Sequence, residues 1–381
     1  MWPNSSSGKN RSDLRPVRTY RSEFLADQLG VGAVYIRDEG MNTTGSMKDY
    51  LVTHGVLCGK AEGFNSFTAV SSGNHAFSLA SHTAMSGDSA IVFTPASSSK
   101  IPMLCGLPRT FVIGIRGAIF EDVYSRFSRP MFDDLYNMNV SNENLISGFD
   151  VIASDLEQLN PRPSHILAGV GNGSYLAGII HGMEVAGLTL PKIVPVGMSG
   201  AFPTQSAFEK EKLVDELEYF GTQESKIDAA EGSIAIASYS MPQLMYALRL
   251  SGGFPLGGLT NNDIVRAYQI LAEDRQLLEY GVIPEPTGIM GLAAAIAHKD
   301  TFGKNDTLLI SFTGSGIKDR EGIQALAPEI AGSLIESVEI SHAHIVISTA
   351  STHETNNLLI AEKDEPIDNI KKAISLWREF F

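Results

Sequence analysis

Two three-layer α/β domains built on mainly parallel sheets are the fold class this sequence predicts, on three observations. The order strand–turn–helix–strand occurs twice, over residues 66–93 and 165–197, and that order is the βαβ unit of a parallel sheet. Both units turn from strand to helix through glycine, and the chain holds 36 glycines in 381 residues, which suits many tight strand–helix turns. Hydrophobic residues make up 43% and charged residues 19% of the chain, a globular balance at a length sufficient for two domains.

In chain order, residues 1–18 read as an arm. A helix follows over Ser22–Leu29, ended by Gly30, then a strand over Ala33–Arg37, a polar loop over Asp38–Ser46 and a helix over Met47–Gly59. Ser66–Val70 is a strand, Ser71–Asn74 a turn, His75–Met85 a helix and Ala90–Phe93 a strand. Residues 117–148, rich in Phe, Tyr, Met and Asn, break the rhythm and hold a helix near a domain boundary. His165–Ala168, Gly169–Gly173, Ser174–Ala186 and Lys192–Gly197 repeat the strand, turn, helix and strand. Residues 199–260 are irregular. Asn261–Tyr280 reads as one helix capped by Thr260 or Asn261, Ile289–His298 as another, and Leu308–Phe312 as a strand. Ala343–Ile347 suggests a strand and Ile367–Phe381 a final helix.

The formal net charge of −14 repels nucleic acid and anionic membrane surfaces, so neither is an expected partner. The two cysteines, Cys58 and Cys105, form no CxxC pair; they read as reduced thiols, and no metal site is predicted. The polar start, Met1–Ser12, has no apolar signal core, and no run reaches the length of a membrane span. A cytoplasmic location is the expectation.

Five short segments carry the chemistry. Lys48 lies at the start of a helix, where the helix dipole favours a neutral amine able to form a Schiff base; an exposed lysine is the plain alternative. Ser71-Ser72-Gly73-Asn74-His75 lies between strand and helix, where open α/β sheets bind ligands, and can hold a carboxylate or act as an ordinary N-cap turn. Gly169-Val170-Gly171-Asn172-Gly173-Ser174 offers backbone N–H groups to an anion, a phosphate monoester being the natural guest. A dinucleotide is the rival guest, but the G-x-G-x-x-G spacing fails at Ser174 and no ribose-binding acid follows the next strand. Thr313-Gly314-Ser315-Gly316 follows a strand and can face a heterocycle nitrogen. Glu285-Pro286-Thr287-Gly288 precedes a helix and reads, by itself, as a turn.

Taken together and in this order, these segments resemble the motifs of the fold-type II pyridoxal-5′-phosphate (PLP) enzymes, the group of tryptophan synthase β, cysteine synthase, threonine synthase and the serine/threonine dehydratases. The family's N-P-T-G-S-F-K-D loop stands here as N-T-T-G-S-M-K-D over Asn42–Asp49. Its S-S/A-G-N motif matches Ser71–Asn74, its glycine loop Gly169–Ser174, its E-P-x-G Glu285–Gly288 and its T-G-S/H-G Thr313–Gly316. The resemblance covers roughly residues 14–325. It implies PLP in an interdomain cleft, held by Lys48, with Asn74 at the 3-oxygen, Gly171, Asn172, Gly173 and Ser174 at the phosphate and Thr313 at the pyridine nitrogen. It implies that Ser72, Gly73 and His75 bind the carboxylate of a small amino-acid substrate. Asp49, Glu285 and His75 are further candidates to handle protons, while His82 and His298 read as ordinary helix residues.

The glycine loop and the Thr313–Asp319 run look most like threonine synthase, which converts O-phosphohomoserine to threonine and phosphate. The Ser72–Ala76 segment looks like the dehydratases. Cysteine- or cysteate-forming β-replacement and a non-catalytic binding module are the other readings. Met47 and Tyr50 depart from the family's aromatic and basic residues, and Arg15-Pro16-Val17 replaces its T-P-L. For a substrate phosphate, Lys100, Arg109 and Arg116 are the candidate cations. The expected domains are residues 1–49 with 150–340 (large), 50–149 (small and mobile) and 341–381 (a C-terminal extension). The resemblance implies a homodimer.

Overall fold

In a computed structural model, the structure describes residues 19–71, 73–98, 100–210, 230, 238–319, 322–323, 326 and 358–379. The expected arm over residues 1–18, the expected strand over 343–347 and Ser72 lie outside the described residues. The described chain divides into two units. One takes residues up to Met47 and from Phe149 onward; the other takes Lys48–Gly148 and the C-terminal residues.

The strands are β1 (Thr19–Arg21), β2 (Ala33–Asp38), β3 (Ser66–Val70), β4 (Ser89–Pro95), β5 (Thr110–Arg116), β6 (Tyr136–Asn137), β7 (His165–Gly169), β8 (Lys192–Met198), β9 (Leu256–Leu259), β10 (Thr307–Phe312) and β11 (Leu358–Glu362). The first unit holds a six-stranded sheet in the order β1-β2-β10-β7-β8-β9, parallel except for β1 against β2. Side chains alternate across its strands. Val34, Ile36, Leu167, Val194, Val196, Leu308, Ile310 and Phe312 face one core, packed with the helices Glu23–Leu29, Asn261–Leu271 and Met290–Ala297. Ser311, on the opposite face of β10, meets Tyr175 of the Ser174–Val185 helix at 3.1 Å. Helices therefore cover both faces, as a parallel sheet requires.

The caps show why the helices begin and end where they do. Ser22 accepts the Leu25 amide at 3.0 Å, and Gly30 closes the same helix at φ 68°. The single helix expected over 261–280 is two, Asn261–Leu271 and Arg275–Glu279. Asp274 breaks it: its buried carboxylate accepts the Leu277 amide at 3.2 Å and the Ser22 hydroxyl at 2.5 Å, which starts a new helix. Thr260 caps the first of the two through a capping box with Asp263. The irregular stretch after residue 199 contains the Pro203–Glu209 and Met241–Ser251 helices and β9.

The second unit holds an all-parallel sheet in the order β11-β5-β4-β3-β6. The Lys48–Ala61 and Asn74–Ser86 helices pack together beside it, so the unit boundary falls just before Lys48. The C-terminal residues are not an appendage. β11 pairs with β5 over five residues, and Trp377 of the Ile367–Arg378 helix stacks on Phe111 with ring centroids 5.3 Å apart. Apolar residues at helical spacing, Ile370, Ile374 and Trp377, bury that helix against the sheet, a pairing across the chain that composition alone does not reveal.

Candidate active site

Four of the five segments meet at the C-terminal ends of strands in the first unit, the edge where open α/β sheets bind ligands. The loop before Lys48 is fastened by its backbone. Met47 donates to the Thr313 carbonyl at 3.0 Å and Ser315 to the Gly45 carbonyl at 2.9 Å, with Gly45 at φ 76°. Lys318 donates to the Thr44 carbonyl at 2.7 Å. On the other side of the Thr313–Gly316 run, Glu285 donates to the Gly314 carbonyl at 2.9 Å and Gly316 to the Ile283 carbonyl at 2.7 Å. A β-carbon on Gly169 would stand 2.7 Å from the Thr287 carbonyl oxygen, so only glycine lets the two segments touch.

The glycine loop leaves its helix start without a side-chain cap. Gly173 sits at φ 85° and caps the twelve-residue Ser174–Val185 helix with no side chain, leaving the first-turn amides uncovered by a cap. The acceptors of Asn172 are already occupied: its carbonyl takes the Ser238 hydroxyl at 2.7 Å and its Oδ1 the Tyr239 amide at 3.0 Å. Thr313 is buried, and its hydroxyl makes no hydrogen bond among the described residues.

Under this edge lies a buried polar network that the sequence reading missed. Arg37 is fully buried; its Nε meets Glu39 Oε1 at 2.7 Å and its Nη2 meets Asp155 at 3.2 Å. Glu39 also accepts Asn42 Nδ2 at 2.7 Å and the Tyr175 hydroxyl at 2.8 Å. Burial holds the Tyr175 phenol well above its ordinary range, so it remains a donor. Burial lifts the Asp38 carboxyl from 3.8 to about 7, opposed by a hydrogen bond from the Gly40 amide and reinforced by the Glu39 charge. The signal was present in the sequence: three charged residues, Arg37-Asp38-Glu39, end an apolar strand where one solvent-facing charge would suffice.

In the second unit, Lys48 is the first residue of the Lys48–Ala61 helix and the next residue in the chain after Met47. Asn74 opens the Asn74–Ser86 helix, with Gly73 as its cap. Ser71 Oγ accepts the Gly73 and Ala76 amides, each at 3.2 Å, which folds the turn over the end of β3. His75 is placed differently from its expected carboxylate role. Its buried Nε2 donates to the Met138 carbonyl at 2.6 Å, and Nδ1 has no partner among the described residues. Burial first, then the nearby Lys48 charge, lower its pKa to about 4, against the effect of the Met138 bond. A neutral imidazole donating from Nε2 has a bare lone pair at Nδ1, so the ring has no proton left to offer a carboxylate. His82 is more than a helix residue. Its Nε2 lies 3.3 Å from the buried Asp49 Oδ1, off the line of a hydrogen bond, while Ser78 donates to the same oxygen at 2.5 Å. Asp49 thereby joins the Lys48 helix to the Asn74 helix.

Among the described residues, no group of three or more His, Cys, Asp and Glu is placed to hold a metal ion, and no helix is long and apolar enough to cross a membrane.

The threonine synthase of Methanocaldococcus jannaschii is 28% identical over 312 residues, spanning 79% of this chain and 74% of that protein. The structure of maize serine racemase superposes with a TM-score of 0.65 at 18% identity, covering 87% of this chain and 94% of that one. The processed form of threonine deaminase isoform 2 from Solanum lycopersicum gives 0.61 at 18% identity, covering 84% and 89%. These structures share the fold. Residues 12–314 match the family model for the pyridoxal-phosphate dependent enzyme, and with that match over most of its length the chain belongs to the pyridoxal-phosphate dependent enzymes.

Proposed function

We propose that this enzyme performs threonine-synthase-like chemistry, converting O-phosphohomoserine and water to threonine and inorganic phosphate. The reaction breaks the γ-carbon–oxygen bond, with phosphate leaving, and adds water at the β-carbon. Similarity to threonine synthases of several organisms, at 24–28% identity over most of the chain, supports this substrate.

The carrying observation for cofactor use is the glycine loop, a helix start without a side-chain cap, joined through Glu285–Gly288 to the Thr313 hydroxyl. These groups fit pyridoxal phosphate: backbone amides from Gly171 to Ser174 suit a phosphate dianion, and the neutral Thr313 hydroxyl suits an unprotonated ring nitrogen. When bound, the cofactor supplies an electron sink for the bond electrons released at the substrate α-carbon.

The residues of this chain do the rest. Lys48 would hold the cofactor and move the proton at the substrate α-carbon. Asn74 would orient the ring through its 3-oxygen. Gly73, with Ser72 and the backbone of His75, would bind the substrate carboxylate. A neutral Thr313 hydroxyl, unlike a carboxylate, would leave the ring nitrogen unprotonated and so temper the electron withdrawal the cofactor supplies.

The test is the visible spectrum of the purified protein with pyridoxal phosphate, followed by addition of O-phosphohomoserine, O-phosphoserine, serine and threonine. A band that changes with O-phosphohomoserine, with phosphate released and threonine formed, supports the proposal. Ammonia release from serine or threonine would replace it with deamination, and a protein that acquires no band would overturn cofactor use through Lys48.

A further inference from the structure

We propose that Lys100 selects substrates bearing a second anionic group, a phosphoryl or a distal carboxylate, in addition to the α-carboxylate. The inference rests on the reading of the Ser71–His75 turn as the substrate-carboxylate site, and it gives that site a charge preference.

The observation is one of placement. Lys100 Nζ stands 3.7 Å from the point a β-carbon on Gly73 would occupy. Gly73 follows β3 and Lys100 follows β4, and these strands are parallel neighbours tied at their ends by Ser71 N–H to the Phe93 carbonyl at 3.0 Å. Both residues therefore stand at the carboxyl edge of the second sheet, where parallel sheets bind ligands.

The ammonium is half-buried, and it makes neither an ion pair nor a hydrogen bond among the described residues. In a chain with 43 acidic residues and a net charge of −14, that is a notable omission. Lys60 pairs with Asp88 and Lys363 with Asp122, each at 2.8 Å, and Lys318 with the Thr44 carbonyl; Lys192, Lys299, Lys304 and Lys372 also lack a side-chain partner among the described residues, but they are exposed where Lys100 is half-buried. A cation with no protein counterion at this edge is free to meet an anionic ligand by a charge-assisted hydrogen bond.

The other two candidate cations are committed elsewhere. Arg116 pairs with Glu362 at 2.5 Å on the sheet surface. Arg109 precedes β5, at the amino edge of the sheet, and donates to the Gly87 carbonyl. Only Lys100 of the three stands beside the turn. Within the turn, Ser71 Oγ already takes the Gly73 and Ala76 amides, so a second anion needs a donor from outside the turn. A full positive charge on a rotatable four-carbon stem adds a partner for a second oxyanion and does not demand the planar geometry of an arginine fork.

The experiment compares matched amino acids on the holoenzyme: homoserine against O-phosphohomoserine, serine against O-phosphoserine, and glutamine against glutamate. Half-saturating concentrations are read from the change in the cofactor's visible band, for wild type, Lys100→Gln and Lys100→Arg. Lys100 is half-exposed and unpaired, so retention of the cofactor band and the unfolding midpoint in each variant checks that the fold is intact. In Lys100→Gln, the concentrations for the charged members should rise about tenfold or more relative to their neutral partners, and Lys100→Arg should recover most of that loss. A rise confined to the phosphorylated pairs names a phosphoryl group, and a rise confined to glutamate names a carboxylate. An equal rise for charged and neutral members would overturn the proposal, because Lys100 would then be acting on the shared α-carboxylate. So would unchanged concentrations throughout. A wild-type protein with no band at all would instead defeat the cofactor reading beneath it, a result distinct from a normal band without charge discrimination.

Discussion

Tyr175 donates its hydroxyl to Glu39 Oε1 at 2.8 Å, joining the helix that starts at the glycine loop to the loop that ends one residue before Lys48. The same carboxylate holds Asn42 at 2.7 Å, at the start of that loop. One buried acid thus fixes two parts of the proposed cofactor cradle.

Tyr175→Phe removes the donor to a buried carboxylate and the acceptor of the Ser311 hydroxyl, which costs about 1–3 kcal/mol of stability. The denaturant midpoint should fall, and pyridoxal phosphate should bind more weakly by equilibrium titration. A variant that keeps both values would show that the network carries no positioning role.

Lys48→Ala should abolish the visible band of lysine-linked cofactor while leaving far-ultraviolet circular dichroism unchanged, because alanine has high intrinsic helix propensity and the Lys48–Ala61 helix runs on for thirteen more residues. Persistence of the band would assign the linkage to another lysine.

Two groups should give opposite pH slopes. The Asp38 carboxyl, raised to about 7, keeps its proton in the fold where the unfolded chain has lost it, so its contribution is fully present below 3.8 and is lost as pH rises through 7. His75, lowered to about 4, stays neutral in the fold where the unfolded chain takes a proton, so its contribution is present above 6.5 and is lost as pH falls through 4. Urea midpoints across this range should therefore show Asp38→Asn gaining on wild type as pH rises, by at most about 4 kcal/mol. His75→Gln should gain as pH falls. Curves parallel to wild type would refute both assignments.

Gly173→Ala would put a β-carbon at φ 85° and 2.6 Å from Leu244. The backbone strain alone costs about 1 kcal/mol, and the contact pushes the Met241–Ser251 helix or the loop out of place. Weaker binding of pyridoxal phosphate is expected, with a smaller loss for free pyridoxal, which lacks the phosphate. Equal losses for the two would separate Gly173 from the phosphate.

Trp377→Ala removes the ring stacked on Phe111 and should cost about 3–5 kcal/mol in the unfolding of the unit that contains Lys48. Hydrogen exchange should quicken in β5 and β11. Exchange that quickens only in the C-terminal helix would mean that the segment is loosely attached.

What was legible in the sequence followed local rules. Ser66–Val70 and the 165–197 unit were readable because strand, glycine turn and helix lie within a short window, and Gly30, Thr260 and Gly173 mark helix ends by their own conformational needs. What was not legible depended on partners far along the chain. Asp274 divides a helix because Ser22 reaches it from the other end of the unit. His75 looked like a ligand residue, and only the fold brings Met138 to its ring. Glu39 gave no sign of Tyr175, and the C-terminal strand gave no sign of β5.

That last pairing sets a timetable. The sheet built from residues 66–137 is closed on one side by a strand that begins at Leu358, after the whole remainder of the other unit has been made. During synthesis β5 is a bare edge, with its amides and carbonyls unpaired while the rest of the chain emerges, and such edges invite pairing with other chains. The unit that begins with Lys48 is thus begun before the other unit is complete and finished after it, so a ribosome that stalls short of Leu358 releases a chain whose first unit can be complete while its lysine-bearing unit is not.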